Sequence, residues 1–228
     1  MISRLLLSLW RRVTPSAARI EGINSKVLSE CKFVAIDLEL TSLNPSTTSI
    51  TSIGYVEGIN GRVDLSTCGY SVINTSADLG QSPVIHGLTQ DVLCRGKSLL
   101  DAMNTLVPIL QNTVLVFHNA NLDLSALDNA FKALELPEME IVYIDTLKLA
   151  IYQLNKQHQI LPSDSATLTV CRQRLDLPSF PEHNALDDAL ATLTLFYAQL
   201  TQLGVTQADT LNVLSHTKAV GRYRLGRV

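Results

Sequence analysis

The octapeptide Phe33-Val34-Ala35-Ile36-Asp37-Leu38-Glu39-Leu40 constrains the fold more than any other stretch of the chain. It is short, apolar and partly β-branched, which suits a strand in the middle of a sheet. Side chains alternate along a strand, so Val34, Ile36, Leu38 and Leu40 share one face and Ala35, Asp37 and Glu39 the other. Two carboxylates then stand about 7 Å apart at the backbone. Such a pair repels itself and resists desolvation unless something positive sits between the groups. Mg²⁺ or Mn²⁺ would serve, because these ions favour oxygen ligands and often bind one or two carboxylates together with substrate phosphate. For these eight residues alone, an ordinary strand with a solvated acidic face is the slightly better reading.

The surrounding pattern extends this strand into a layered fold. Ile50 to Glu57 and Arg62 to Ile73 also read as strands, set off by Asn44-Pro45 and by the hairpin punctuation Gly58-Ile59-Asn60-Gly61. Helical spacing over Leu99 to Leu110 leads to the apolar run Val114 to Phe117, a helix over Leu122 to Leu134 and a short strand over Ile141 to Ile144. Helices then dominate, over Thr146 to Leu154, Ser165 to Leu175 and Asn184 to Leu203, with a short stretch over Gln207 to Leu214. Strands followed by alternating strands and helices predict an α/β fold, a mixed sheet flanked by helices.

With 228 residues, 46% of them hydrophobic, the chain can bury a core without covalent staples. Cys31, Cys68, Cys94 and Cys171 lack C-x-x-C spacing, which argues against a zinc site or disulfide framework and for a reducing compartment, the cytoplasm. No run reaches the roughly 18 apolar residues of a membrane-spanning helix, so no integral membrane association is expected. The net charge of -3 hides an asymmetry: four arginines and no acid precede residue 21, and Lys218, Arg222, Arg224 and Arg227 follow the last acid, Asp209. The body between them carries ten basic residues against 21 acids. Such a body does not attract a polyanion by its overall field, so a nucleic-acid substrate needs local cations. The chain divides into a basic amphipathic N-terminal segment, 1–30, a central domain, 31–203, and a basic C-terminal tail, 204–228. Ile2, Leu5, Leu6 and Leu9 give the first segment a helical apolar face, suited to docking on its own domain or on a protein partner.

Two further elements carry acids. In Phe117-His118-Asn119-Ala120-Asn121-Leu122-Asp123, Asn121 reads as a helix N-cap and Asp123 as a first-turn acid. In Pro181-Glu182-His183-Asn184-Ala185-Leu186-Asp187-Asp188-Ala189, the following helix is expected to bury Leu186, Leu190, Leu193, Tyr197 and Leu200, and periodicity does not choose between the two aspartates. His183 and Asp188 would lie about 140° apart on a helix. They converge only if His183 sits on the preceding loop, where Pro181 favours it, and an imidazole beside a carboxylate suits a general base.

Taken in order, the three elements resemble the DEDD exonuclease family with a catalytic histidine, which includes the proofreading epsilon subunit of bacterial DNA polymerase III. Asp37-Leu38-Glu39-Leu40-Thr41-Ser42 resembles its D-x-E-T-T-G motif, His118-Asn119-Ala120-Asn121-Leu122-Asp123 its H-N-A-x-F-D, and His183-Asn184-Ala185-Leu186-Asp187-Asp188-Ala189 its H-x-A-x-x-D-A, which selects Asp188 over Asp187. Ile85-His86-Gly87-Leu88-Thr89 and Ile144-Asp145-Thr146 echo two lesser motifs. The resemblance spans Cys31 to Leu203. It departs at Leu40, Ser42 and Leu122, where the family has Thr, Gly and Phe.

This resemblance implies a ribonuclease H-like mixed five-stranded sheet and metal-dependent 3′ to 5′ hydrolysis releasing nucleoside 5′-monophosphates from DNA 3′ ends. Asp37, Glu39, Asp123 and Asp188 would hold two Mg²⁺ or Mn²⁺ ions, and His183 would act as the general base. Leu40, Thr41 and His86 would contact the terminal nucleotide. Single-stranded DNA or RNA 3′ ends would be the nucleic-acid partner, and a polymerase or other protein could dock on the N-terminal helix. Asp145 reads instead as the cap of the helix at Thr146, Asp187 as a first-turn acid and His118 as a structural hydrogen-bonding residue. The rival readings are an exoribonuclease or oligonucleotidase of the same fold and a non-catalytic interaction module. The module has no physical need for a self-repelling acidic cluster.

Overall fold

The computed structural model describes residues 22–23, 25–45, 48–75, 88–157, 164–181 and 183–227. The N-terminal helix expected over residues 1–10, and His86, lie outside the described residues. Among the described residues six strands, β1 (Lys32–Leu40), β2 (Ile50–Ile59), β3 (Arg62–Val72), β4 (Val114–Phe117), β5 (Met139–Asp145) and β6 (Val220–Leu225), form one sheet in the order β3-β2-β1-β4-β5-β6. β1, β4 and β5 run parallel, and β2, β3 and β6 pair antiparallel with their neighbours. The α-helices among the described residues are α1 (Gln90–Leu93), α2 (Leu99–Leu110), α3 (Ala120–Ala133), α4 (Thr146–Lys156), α5 (Leu168–Arg174) and α6 (Ala185–Gln202).

The mixed sheet with flanking helices is the expected architecture, but it has six strands rather than five. The additional strand, β6, lies within the stretch expected as a basic tail. Its alternation explains why it pairs: Tyr223 and Leu225 pack into the sheet's core, while Arg222 and Arg224 stay exposed. The helical stretch expected over Gln207 to Leu214 is instead a 3-10 segment, Leu211–Thr217, leading into that strand.

β1 is buried on both faces, as its apolar run requires. Val34, Ile36, Leu38 and Leu40 enter one core with residues of α2 and α3, whereas Phe33 and Ala35 enter another with Leu193 and Phe196 of α6. The alternation read from the sequence therefore separates the two layers. β4 covers β1 only from Phe33 to Ala35, so β1 runs on past its parallel neighbour and its last residues project beyond the β4 edge.

α6 is buried more widely than a single stripe. Leu193 and Leu200 are buried as expected, but Leu186, Leu190 and Tyr197 are only partly so, and Ala185, Ala189 and Phe196 lead the sheet contact. The difference arises because Leu195 faces a second cluster with residues of α4 and α5, so α6 is wrapped on two sides.

Candidate active site

The projecting end of β1 carries Asp37 and the buried Glu39, opposite Gly54 and Ser52 of β2. Gly54 explains how another element approaches so closely. A Cβ there would lie 2.1 Å from the Ala185 carbonyl carbon and 2.3 Å from the Leu186 nitrogen, so the first turn of α6 rests directly on the strand. Asn184 caps this helix, its side-chain oxygen accepting from the Leu186 amide at 3.0 Å and the Asp187 amide at 3.3 Å. Asp188 is brought to β1: ligand oxygens of Asp37, Glu39 and Asp188 lie within 4.8 Å of one another. Asp187 is a first-turn residue outside that group.

His183 lies on the loop before α6, as convergence with Asp188 requires. It adopts a left-handed conformation, φ 65°, and its backbone N–H donates to Asp188 Oδ2 at 3.1 Å. Both residues line one cavity of about 500 Å³, together with Asp37, Glu39 and Asp123. Leu40 and Leu122 also line it, and Leu43 stands at its edge with 85% of its surface exposed. Thr41 is not among the lining residues; its hydroxyl accepts the Ser49 amide at 2.9 Å and closes the turn after β1.

Asp123 arrives from the other layer. Because β1 outruns β4, the Leu38 amide is available, and Asp123 Oδ1 accepts from it at 3.2 Å. The N-cap position of α3 is Asn119, φ 67°, rather than Asn121, and the Asn119 side chain makes no cap bond. Asp145 replaces it. This buried carboxylate accepts the amides of Asn119 at 3.1 Å and Ala120 at 3.4 Å, as well as that of Leu147 in α4 at 3.1 Å. It therefore caps two helices, of which only the one at Thr146 was expected. His118 has the structural role read for it, with Nδ1 2.8 Å from Thr146 Oγ1 and Nε2 3.0 Å from the Ala166 carbonyl.

The electrostatics follow from this crowding. Burial, then the charges of Asp123, Asp188 and Glu39, hold Asp37 well above the usual carboxylate range. Burial pushes Asp123 to about 8 against the opposing amide bonds. Asp188 rises to about 6, first by burial and then by Glu39, while the amide and ring of His183 oppose the rise. Protons thus take up charge that dications would otherwise balance. An oxygen-only donor set, partly buried and tightly grouped, fits hard divalent ions of the Mg²⁺ or Mn²⁺ type.

Two positioning features escape a reading by motif. Gly54 had a sequence signal, an isolated glycine inside an apolar strand, which marks a close backbone approach. The second cap made by Asp145 had none, because it spans 26 residues to Asn119.

The exonuclease family model (RNase_T) matches residues 34–196. A PolC-type DNA polymerase III from Thermotoga petrophila is 30% identical over 189 residues, covering 81% of this chain but 13% of that protein. The chain thus spans about an eighth of the length of this relative. Among solved structures, exonuclease X in complex with 5′-overhanging duplex DNA aligns with a TM-score of 0.60 at 21% identity, covering 79% of this chain and 98% of that one. A 3′-exonuclease recognising the 3′ end of a histone mRNA stem-loop aligns at 0.62 with 14% identity, covering 79% and 84%. The shared fold is the ribonuclease H-like mixed sheet.

Proposed function

The chain belongs to the exonuclease family, and from that premise we propose that it is a metal-dependent 3′ to 5′ exonuclease that releases nucleoside 5′-monophosphates from DNA 3′ ends. The observation that carries this reading is the approach of Asp37, Glu39 and Asp188 to within 4.8 Å, with Asp123 beside them on the Leu38 amide. Four carboxylates and two Mg²⁺ or Mn²⁺ ions sum to zero charge, which answers both the clustered acids and the anionic substrate. Bound there, the ions would stabilise the attacking and leaving oxygens of an in-line displacement.

His183 accepts a proton from the attacking water, and Asp188 orients it through the His183 backbone amide. Water adds to the phosphorus of the last phosphodiester as its bond to the 3′ oxygen breaks. That oxygen takes a proton from solvent to become the new 3′ hydroxyl of the shortened strand, and His183 returns its proton to solvent. The terminal nucleotide occupies the cavity of about 500 Å³, against Leu40 and Leu122. Leucines at these positions grip by apolar contact, where the family's Thr and Phe would offer a hydroxyl and an aromatic face. Similarity to a DNA polymerase and to exonuclease X in complex with DNA favours DNA as substrate.

Incubation of the purified protein with 5′-labelled single-stranded DNA and RNA, in Mg²⁺, Mn²⁺ or EDTA, tests the reading. The expected outcome is a ladder shortened from the 3′ end, free 5′-monophosphates, dependence on the ion and faster cleavage of DNA. Cleavage that persists in EDTA, or none in either metal, defeats the nuclease reading; faster cleavage of RNA moves the assignment to an exoribonuclease.

A further inference from the structure

Arg172, on α5, is a guanidinium with 4% of its surface exposed, and the proposed chemistry does not use it. Burying such a charge is costly unless its donors are engaged or an opposite charge is near. Its bonds go to neutral oxygens: Nη1 donates to the Ala191 carbonyl and the Thr194 hydroxyl, and Nη2 to the Pro178 carbonyl, each at 2.6 Å. The guanidinium carbon stands 4.7 Å from the centre of the Phe180 ring. The backbone carbonyl of Arg172 accepts the Leu177 amide at 3.0 Å. Burial lowers its pKa, and the charge of Asp188 opposes that shift.

These partners fall into two groups. Ala191 and Thr194 lie on α6, within two turns of Asp188. Leu177, Pro178 and Phe180 belong to the irregular segment that leads to His183. The segment enters through a left-handed residue, Asp176 at φ 51°, and ends at another, His183 at φ 65°. Pro178, Ser179, Pro181 and His183 are exposed. At one end the His183 amide is tied to Asp188, and at the other the segment is tied to Arg172.

We propose that Arg172 is a positioning residue: by bridging Pro178 and Phe180 to α6 it fixes the loop that carries His183 relative to the helix that carries Asp188. The inference rests on the reading of His183 as the general base. Only a planar fork reaches carbonyls on both elements while stacking on Phe180; a lysine keeps the charge and loses the bridge.

The test is a double-mutant cycle on the full chain, with Arg172→Lys, His183→Ala and the double variant, reading kcat, KM for a single-stranded oligonucleotide and Mn²⁺ affinity by calorimetry. Arg172→Lys is expected to lower kcat about 10- to 100-fold, as misplacement of a reacting group does. KM and Mn²⁺ affinity stay within about twofold of the parent, and in the His183→Ala background the same substitution changes kcat by less than about twofold. An equal loss in both backgrounds, an unchanged kcat, or a loss that tracks Mn²⁺ affinity overturns the clamp. A parental kcat in His183→Ala alone overturns the base assignment instead. Should Arg172→Lys fail to fold, Phe180→Leu, which removes the stacked ring and leaves the guanidinium, enters the same cycle with the same criterion and a smaller expected loss of about fivefold.

Discussion

Asp123 and Asp188 reach the carboxylates of β1 from opposite layers, and they are held by different means. Asp123 rides on α3 in the layer of Val34 and Ile36, is 9% exposed, and accepts the Leu38 amide. Asp145 pins the start of its helix. Asp188 rides on α6 in the layer of Phe33 and Ala35, is partly exposed, and accepts the amide of His183 from a loop. One half of the site is therefore fixed by strand and helix ends, while the other depends on how a loop and a helix are set against each other. The contrast sets rigid charge placement in the first half against a loop in the second, the loop that carries the proposed general base, His183.

The largest expected effects compare the two halves directly. Asp123→Ala and Asp188→Ala should each lower kcat by about 10³-fold or more, since on the proposed mechanism each aspartate would help hold the ions in place. Their effects on stability should part: Asp123→Ala leaves the Leu38 amide without its acceptor and costs about 1–3 kcal/mol. Asp188→Ala relieves like-charge crowding and should fold as well as the parent. Asp187→Ala should keep activity within about threefold. Oligonucleotide kinetics and thermal unfolding on the three variants decide the matter, and equal activity losses at Asp187 and Asp188 would show that the register of α6 is misread.

The two halves also differed in how far the sequence disclosed them. Alternation in Phe33 to Leu40 was enough to place Asp37 and Glu39 on one face, because period 2 is enforced by the backbone itself. The choice of Asp188 over Asp187 came from resemblance to a motif and not from periodicity, since α6 is buried on two sides and its apolar stripe is rotated from the simple pattern. Local chemistry favours Asn121 as the cap of α3, whereas a carboxylate 26 residues away from Asn119 performs that function. β6 was hidden for a related reason: its arginines give the stretch a solvated composition, and its pairing with β5 is a long-range contact. Local rules disclosed five of the six strands and most helices; the contacts that join the layers span too much sequence to be legible in it.

Gly54 offers a sharper and somewhat smaller test, because it sets the distance between the halves. In Gly54→Ala the added methyl would meet the backbone of Ala185 and Leu186 at 2.1 to 2.3 Å, and backbone cannot yield as a side chain can. α6 must shift, carrying Asp188 away from Asp37 and leaving Asp123 where it is. The expected loss in kcat is about 10²-fold, with about 1–3 kcal/mol of destabilisation from overpacking. Gly22→Ala, where an added Cβ meets nothing within 4 Å, is the neutral control. A Gly54→Ala enzyme with parental kcat would mean that the halves do not depend on this contact.

The smallest expected effect is on stability, and it separates the halves by pH. Both carboxyl groups start from an ordinary value of 3.8, and folding raises Asp188 to about 6 and Asp123 to about 8. The folded protein without dications therefore binds more protons than the unfolded chain across that interval, and its stability falls as pH rises. The favourable contribution is complete below about pH 4 and is lost through about pH 6 for the loop-side acid and through about pH 8 for the strand-side acid. Dications act in the opposite sense. Near pH 8, Mg²⁺ or Mn²⁺ at about 100 times its Kd should add about 2.7 kcal/mol, or about 5–10 °C in Tm for a chain of this size, and the gain should shrink toward pH 5 as protons compete. Asp188→Ala should erase the lower step and keep the upper one. Thermal unfolding in EDTA and in Mg²⁺ from pH 4 to 9 reads both steps, and a Tm in EDTA that does not respond to pH would remove the electrostatic difference between the two halves.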